Sequence, residues 1–175
     1  MGSFGEQIVK IEELAKKSRD KHKGDELQVA YQFIEYHNNV YGTDYTLSKK
    51  QPLSTDDPVD VLINSKSDSR IILKIQVKTF DSKFRAIINT TGGGEFLRIV
   101  NRNELHPLIR EFKEAIPKLE IKYKDINKEL VILFDGFWGF NLEERLVGDL
   151  RNLFTNKRFK EAWLVYSRKK CINLL

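Results

Sequence analysis

The sequence predicts an α/β fold in which helices flank a mixed β-sheet. Segments with helical spacing of apolar residues alternate with short apolar segments typical of strands. Two neighbouring strand-like segments form an early hairpin, which departs from strict strand–helix–strand alternation. At 175 residues, with 41% hydrophobic and 31% charged residues, the chain has the size and composition of a single domain over 1–175.

The elements are predicted from the periodicity of apolar residues. Helices are expected near 8–15, from Asp25 to about His37, from Asn103 to Ile116 with a stop at Pro117, and from Asn141 to Phe154. Strands are expected at 59–63, 71–80, 130–134 and 162–166, with a turn-rich loop over 47–58 and a further hairpin or flexible tip flanked by 86–88 and 96–100.

Composition excludes several classes of protein. The net charge of +5 permits a polyanionic partner without demanding one. A single cysteine, Cys171, excludes an internal disulfide framework and predicts a reducing, cytoplasmic location. No apolar run approaches the roughly 20 residues that span a bilayer, so we expect no membrane partner. Gly92–Gly94 lacks the Gly-Lys-Ser/Thr ending of a phosphate-binding loop, so no nucleotide cofactor is expected.

The predicted hairpin brings polar side chains of two strands together. Side chains alternate faces along a strand, so Val59 and Val61 are expected on one face and Asp60 on the other, while Gln76 and Lys78 share a face of the second strand. A turn centred on residue 68 pairs 61 with 75 and 63 with 73, which makes the apolar faces coincide. The same register puts Asp60 directly opposite Gln76, with Cβ atoms roughly 5 Å apart.

An acid, an amide and an ammonium on one face suit phosphodiester cleavage. This reaction needs a divalent cation, an activated water and a positive charge near the developing negative charge. The side-chain oxygens of Asp60 and Gln76 can share one hard cation such as Mg²⁺ or Mn²⁺, with the backbone carbonyl of Val77 as a further ligand. Lys78 lies where it can orient the attacking water or act as its base.

These residues resemble the PD-(D/E)XK nuclease superfamily, which includes restriction endonucleases and archaeal Holliday-junction resolvases. The resemblance covers 24–80 and rests on Asp60 in Pro58-Val59-Asp60, on Gln76-Val77-Lys78, and on Glu26 in Gly24-Asp25-Glu26 of the preceding helix. It implies a restriction-endonuclease-like core, with Glu26 as an additional metal ligand.

Two departures from the family pattern are visible. Gln76 stands where the family usually has an acidic residue, as in the QxK variant of methyl-directed, Mrr-like restriction nucleases. One residue also separates Pro58 from Asp60. The amide lowers the negative charge of the site by one and is expected to weaken its affinity for a metal ion.

The resemblance implies a metal-dependent DNA endonuclease of the restriction, homing or junction-resolving type. Duplex or branched DNA is the expected partner, and the basic side chains expected to contact phosphates are Lys49, Lys50, Lys83 and Arg85. Cutting both strands of a duplex needs two active sites, so a homodimer is expected.

Other interpretations of the same residues stay open. Lys74, Gln76 and Lys78 are also typical of the solvent-exposed face of an antiparallel sheet. Glu26 also fits an ordinary acidic residue in a first helical turn, and Asp57 is a second choice for the metal carboxylate. At the level of function, the rivals are a catalytically lapsed DNA-binding protein on the same fold and a protein–protein interaction module.

Overall fold

The computed structural model of the protein describes residues 23–52, 59–67, 70–79, 107–135, 144–155, 157–167 and 169–175. The expected helix near 8–15, the expected hairpin around 86–100 and the candidate residues Asp57, Lys83 and Arg85 lie outside these ranges. None of the helices within the ranges is long and apolar enough to cross a membrane.

Within the described residues the chain forms three α-helices, six β-strands and one short 3₁₀ helix. In chain order they are α1 (Lys23–Tyr41), β1 (Tyr45–Leu47), β2 (Val61–Ser65), β3 (Ile71–Lys78), α2 (Pro107–Lys122), the 3₁₀ helix (Asn127–Glu129), β4 (Leu130–Asp135), α3 (Glu144–Phe154), β5 (Glu161–Ser167) and β6 (Lys170–Asn173). The edge strands β1 and β6 are too short for alternation to predict them from the sequence.

The six strands form one sheet in which neighbouring strands follow chain order. β1, β2 and β3 are mutually antiparallel, as are β5 and β6, whereas β3–β4 and β4–β5 are parallel. Parallel neighbours need a crossover connection, and α2 and α3 lie in the two segments that make it. The mixed α/β class predicted from the sequence is therefore confirmed.

Hydrophobic cores lie on both faces of the sheet. α1 packs on one face against alternating strand residues, among them Ile75 and Leu133. α2 and α3 pack on the other face against the intervening residues, among them Ile132 and Phe134. All residues of Leu130–Phe134 are fully buried, because β4 is central in the sheet and covered on both faces.

Two helices are longer than predicted. α1 continues to Tyr41 and is followed by Gly42, whose positive φ of 67° is typical of a helix C-terminus. α2 does not stop at Pro117 but continues through it to Lys122. A proline inside a helix removes a hydrogen bond at a cost of about 3 kcal/mol. Burial of Leu119 in the following turn offsets part of that cost.

The predicted hairpin register is confirmed at its centre. Val61 pairs with Ile75 and Ile63 pairs with Leu73. After Ile63 the register shifts by one residue. The alternation of apolar residues was sufficient here because a slip by one residue would move every apolar side chain to the other face.

The prediction for Val59 is wrong. Val61 and Ile63 face the core under α1, whereas Val59 packs in the core under α2 and α3. β2 begins at Val61, and Asp60 lies in a bend before it. The strand alternation therefore does not extend back to Val59.

Truncation of Phe134 tests the packing of the second core. Its ring is fully buried, with its centroid 4.3 Å from that of Phe112 and 5.7 Å from that of Phe154. We expect Phe134→Ala to lower the free energy of unfolding by about 3–5 kcal/mol in chemical denaturation. Ile121→Ala is the control: this side chain is 75% exposed, and we expect a change within about 0.5 kcal/mol. Equal effects of the two substitutions would contradict this packing.

The carboxyl of Asp44 is expected to make the stability of the β1–β2 pair depend on pH. Hydrogen bonds from the Ser65 and Ser67 hydroxyls and from the Ser67 backbone N–H lower the pKa of its carboxyl from 3.8 to about 2. A lowered folded-state pKa means that the stabilisation is complete above about pH 4 and is lost as the pH falls through 2.

The measurement is denaturation of the wild type and Asp44→Asn between pH 6 and pH 2. We expect the wild type to be more stable near neutral pH and this difference to shrink below pH 4. Asp149→Asn, at an exposed position of α3, is the control and should show no such convergence. A difference that is constant with pH would contradict the role of the Asp44 carboxylate.

Candidate functional site

Asp60 joins the start of β2 to β3 through its side chain. Its backbone N–H donates to the carbonyl oxygen of Ile75 at 2.8 Å. Its carboxylate oxygen Oδ2 accepts a hydrogen bond from the Val77 N–H at 2.8 Å and another from the side-chain amide of Gln76. The bend before β2 thus turns the carboxylate toward β3. Asp60 and Gln76 are in direct contact, as the hairpin register predicted.

Gln76 lies within the sheet and is 9% exposed. Its parallel neighbour on β4 is Ile132, which belongs to the core under α2 and α3. Leu62, on the same side of the hairpin, also packs against that core. The interpretation as a solvent-exposed sheet face is therefore wrong for Gln76, whereas the side chain of Lys74 is 42% exposed and Lys78 is exposed, as that interpretation expects. A buried amide such as that of Gln76 needs a specific partner.

The amide of Gln76 lies between two oxygen atoms. Its Nε2 donates to Asp60 Oδ2 and lies 3.3 Å from the carbonyl oxygen of Val77. Its Oε1 is buried and has no hydrogen-bond partner among the described residues. The two ends of an amide have nearly the same shape. A half-turn of the amide would bring Oε1 into the position of Nε2, so that three oxygen atoms would face one point.

Glu26 is connected to this cluster through Lys23. Both residues lie in the first turn of α1, where the helix dipole favours an acidic side chain. Lys23 Nζ lies 3.8 Å from Glu26 Oε2 and donates to the backbone carbonyl of Asp60. Their side chains are only 5% and 12% exposed, respectively. Asp60 therefore contacts Gln76 with its side chain and Lys23 with its backbone.

Lys78 lies at the solvent-exposed end of the strand that carries Gln76. It is the last residue of β3, two positions after Gln76, and its side chain is exposed. Lys78 is therefore accessible to a molecule approaching this end of β3.

The end of α2 also reaches the site. Burial raises the pKa of the Tyr123 hydroxyl, the Lys122 ammonium opposes the rise, and the charges of Asp60 and Glu26 add to it. The pKa of Lys122 is raised, mainly by a hydrogen bond with Tyr123 and also by the Asp60 charge. The Asp60 charge thus acts on both groups, and the Glu26 charge acts on Tyr123.

Sequence reasoning missed three residues of the site: Lys23, Lys122 and Tyr123. Lys23 precedes the helix predicted from Asp25, but it stands three positions before Glu26, a spacing at which helical side chains meet. The other two lie beyond Pro117, where the helix was expected to have ended. A helix continued through the proline includes Lys122 in its last turn and is followed directly by Tyr123.

The predicted phosphate contacts are only partly described. Lys49 and Lys50 are exposed in the segment after β1. Gln51 holds this segment beside β2, because its side-chain amide bonds both the backbone N–H and the carbonyl of Leu62. Lys49 and Lys50 therefore lie close to β2, the strand that begins directly after Asp60. Lys83 and Arg85 lie outside the described residues.

The donor atoms determine which cations fit. The described part of the chain contains no cluster of three or more His, Cys, Asp or Glu side chains that would hold a metal ion. The group formed by Asp60, Gln76 and the Val77 carbonyl offers a carboxylate, an amide oxygen and a backbone oxygen. Such oxygen donors fit a hard cation such as Mg²⁺ or Mn²⁺. They do not fit a metal ion that prefers thiolate or imidazole ligands. The buried Oε1 of Gln76 is the atom that a bound cation would satisfy.

Comparison with known proteins does not identify a relative. No protein-family model matches the chain, and no curated protein and no solved structure matches it.

Proposed function

We propose that this chain is a metal-dependent DNA endonuclease with a restriction-endonuclease-like core. The observation that supports the proposal most directly is the convergence of Asp60 Oδ2, the Gln76 amide and the Val77 carbonyl. With the Gln76 amide turned by half a turn, so that Oε1 takes the place of Nε2, these residues would present the three oxygen atoms that the sequence predicts as ligands of the metal ion. Their contact joins residues 16 positions apart in the chain, so it is not a consequence of local sequence alone.

The reaction is hydrolysis of a phosphodiester bond. Water forms a bond to phosphorus, the bond from phosphorus to the leaving oxygen breaks, and that oxygen takes a proton. Mg²⁺ or Mn²⁺ bound at the site would stabilise the charge on the phosphate and lower the pKa of the attacking water. Asp60, Gln76 and Val77 would hold the cation through their oxygen atoms. Glu26 would add negative charge beside them. The exposed Lys78 would hold the attacking water or accept its proton.

Charge supports a polyanionic substrate. The chain carries a net charge of +5, and Lys49 and Lys50 are exposed beside β2. Ammonium groups at such positions bind phosphates regardless of base sequence, and the resulting affinity falls steeply with salt. DNA is the substrate that we propose on this basis. The described part of the chain contains one such site, so we propose a homodimer for cleavage of both strands.

One observation favours a second candidate, a catalytically lapsed DNA-binding protein on the same fold. The Asp60 carboxylate already accepts two hydrogen bonds, from Val77 N–H and Gln76 Nε2. In this arrangement the carboxylate is bonded to two groups of β3 without a cation. Salt-sensitive DNA binding without cleavage is the behaviour that this alternative predicts.

Cleavage assays on plasmid and branched DNA with Mg²⁺ or Mn²⁺ test the proposal. Asp60→Asn keeps an oxygen that can accept from Val77 N–H but removes the charge, and Lys78→Ala removes the exposed ammonium. We expect each to lower the cleavage rate by on the order of 10²–10⁴-fold. Lys113→Ala, at an exposed position of α2, is the matched control and should cleave at the wild-type rate.

Wild-type rates in both site variants would remove Asp60 and Lys78 from the active site. DNA binding without cleavage in any divalent cation would favour the lapsed protein instead. Absence of both binding and cleavage would leave the protein–protein module.

Gln76→Glu tests the metal site by stability. In this variant two carboxylates face each other across β2 and β3, so we expect a lower Tm than in the wild type without divalent cations. A bound cation stabilises the folded state by mass action, and the added charge should strengthen its binding. We therefore expect millimolar Mn²⁺ to raise the Tm of Gln76→Glu by more than that of the wild type. Gln32→Glu on α1 is the control, and an equal Mn²⁺ shift in both variants would contradict a metal site at Gln76.

A further inference from the structure

Lys23 is the most deeply buried charged side chain of the described residues, at 4% exposure. Its ammonium contacts two oxygen atoms, the backbone carbonyl of Asp60 and the carboxylate of Glu26. Burial of an ammonium is costly unless such partners compensate for the lost water. The position between these oxygens therefore favours a cation.

The carboxylate and the backbone carbonyl of Asp60 contact different partners. The carboxylate faces Gln76 and Val77, where the proposed metal ion would bind. The backbone carbonyl faces Lys23 and, through it, Glu26. A second divalent ion bridging Asp60 and Glu26 would have to displace the Lys23 ammonium, which makes contact with both.

We propose that the Lys23 ammonium takes the place of a second divalent cation, so that the site binds one metal ion per chain. This inference rests on the proposed function. Glu26 is then the counter-ion of Lys23 and not a metal ligand. Lys23 is a positioning residue: it holds the start of α1 against Asp60 and supplies a fixed positive charge beside the metal ion.

Titration of the wild type with Mn²⁺, by calorimetry and electron paramagnetic resonance, tests the stoichiometry. We expect one Mn²⁺ per chain and no spectrum of a coupled ion pair. In Lys23→Ala the ammonium and its volume are both removed, and we expect two Mn²⁺ per chain. Lys23→Met removes the charge but fills the space, so one Mn²⁺ should bind, on the order of tenfold more tightly than to the wild type. Lys113→Met is the control for loss of an exposed lysine.

Each outcome decides the inference. Two ions in the wild type, or one ion in a folded Lys23→Ala, would overturn it while leaving the proposed nuclease intact. If Lys23→Ala does not fold, Glu26→Gln decides: it removes one nearby negative charge, so we expect one Mn²⁺ to bind with an affinity lowered by no more than about tenfold. Loss of binding would show that Glu26 is a ligand. No Mn²⁺ binding to the wild type would overturn the proposed function itself.

Discussion

The candidate site depends on the hydrogen bonds that the carboxylate of Asp60 accepts. The carboxylate accepts the Val77 N–H and the Gln76 amide, and thereby connects the bend before β2 to the middle of the sheet. The backbone of the same residue bonds Ile75 and Lys23, which lie on β3 and α1. One residue thus connects two strands and the first helix, and any change in its conformation would move all of these contacts together.

Burial gives these polar contacts their chemical significance. Gln76 and Lys23 are almost completely removed from water, so each must have partners within the protein. Lys23 has two oxygens, whereas Gln76 Oε1 has no hydrogen bond among the described residues. Unsatisfied buried polar atoms are uncommon in native proteins and often mark sites that bind a ligand or an ion. At an exposed sheet surface, water would satisfy the same polar atoms.

The arrangement also separates two charges of the same sign. Lys23 is buried at the start of α1, and Lys78 is exposed at the end of β3. A buried ammonium held by two oxygens is suited to fixing charge and geometry, whereas an exposed one is suited to meeting a substrate. The sequence predicts Lys78 as the ammonium group of the site, and the structure adds Lys23 in buried surroundings.

The sequence by itself determined the mixed α/β class, the central register of the β2–β3 hairpin and the meeting of Asp60 with Gln76. These follow from alternation between strands that are adjacent in the chain. Only the tertiary structure decided that α2 passes through Pro117, that Val59 joins the opposite core, and that Lys23, Lys122 and Tyr123 lie at the site. Such contacts join segments far apart in sequence, 37 positions for Lys23 and Asp60, where periodicity carries no information about distance.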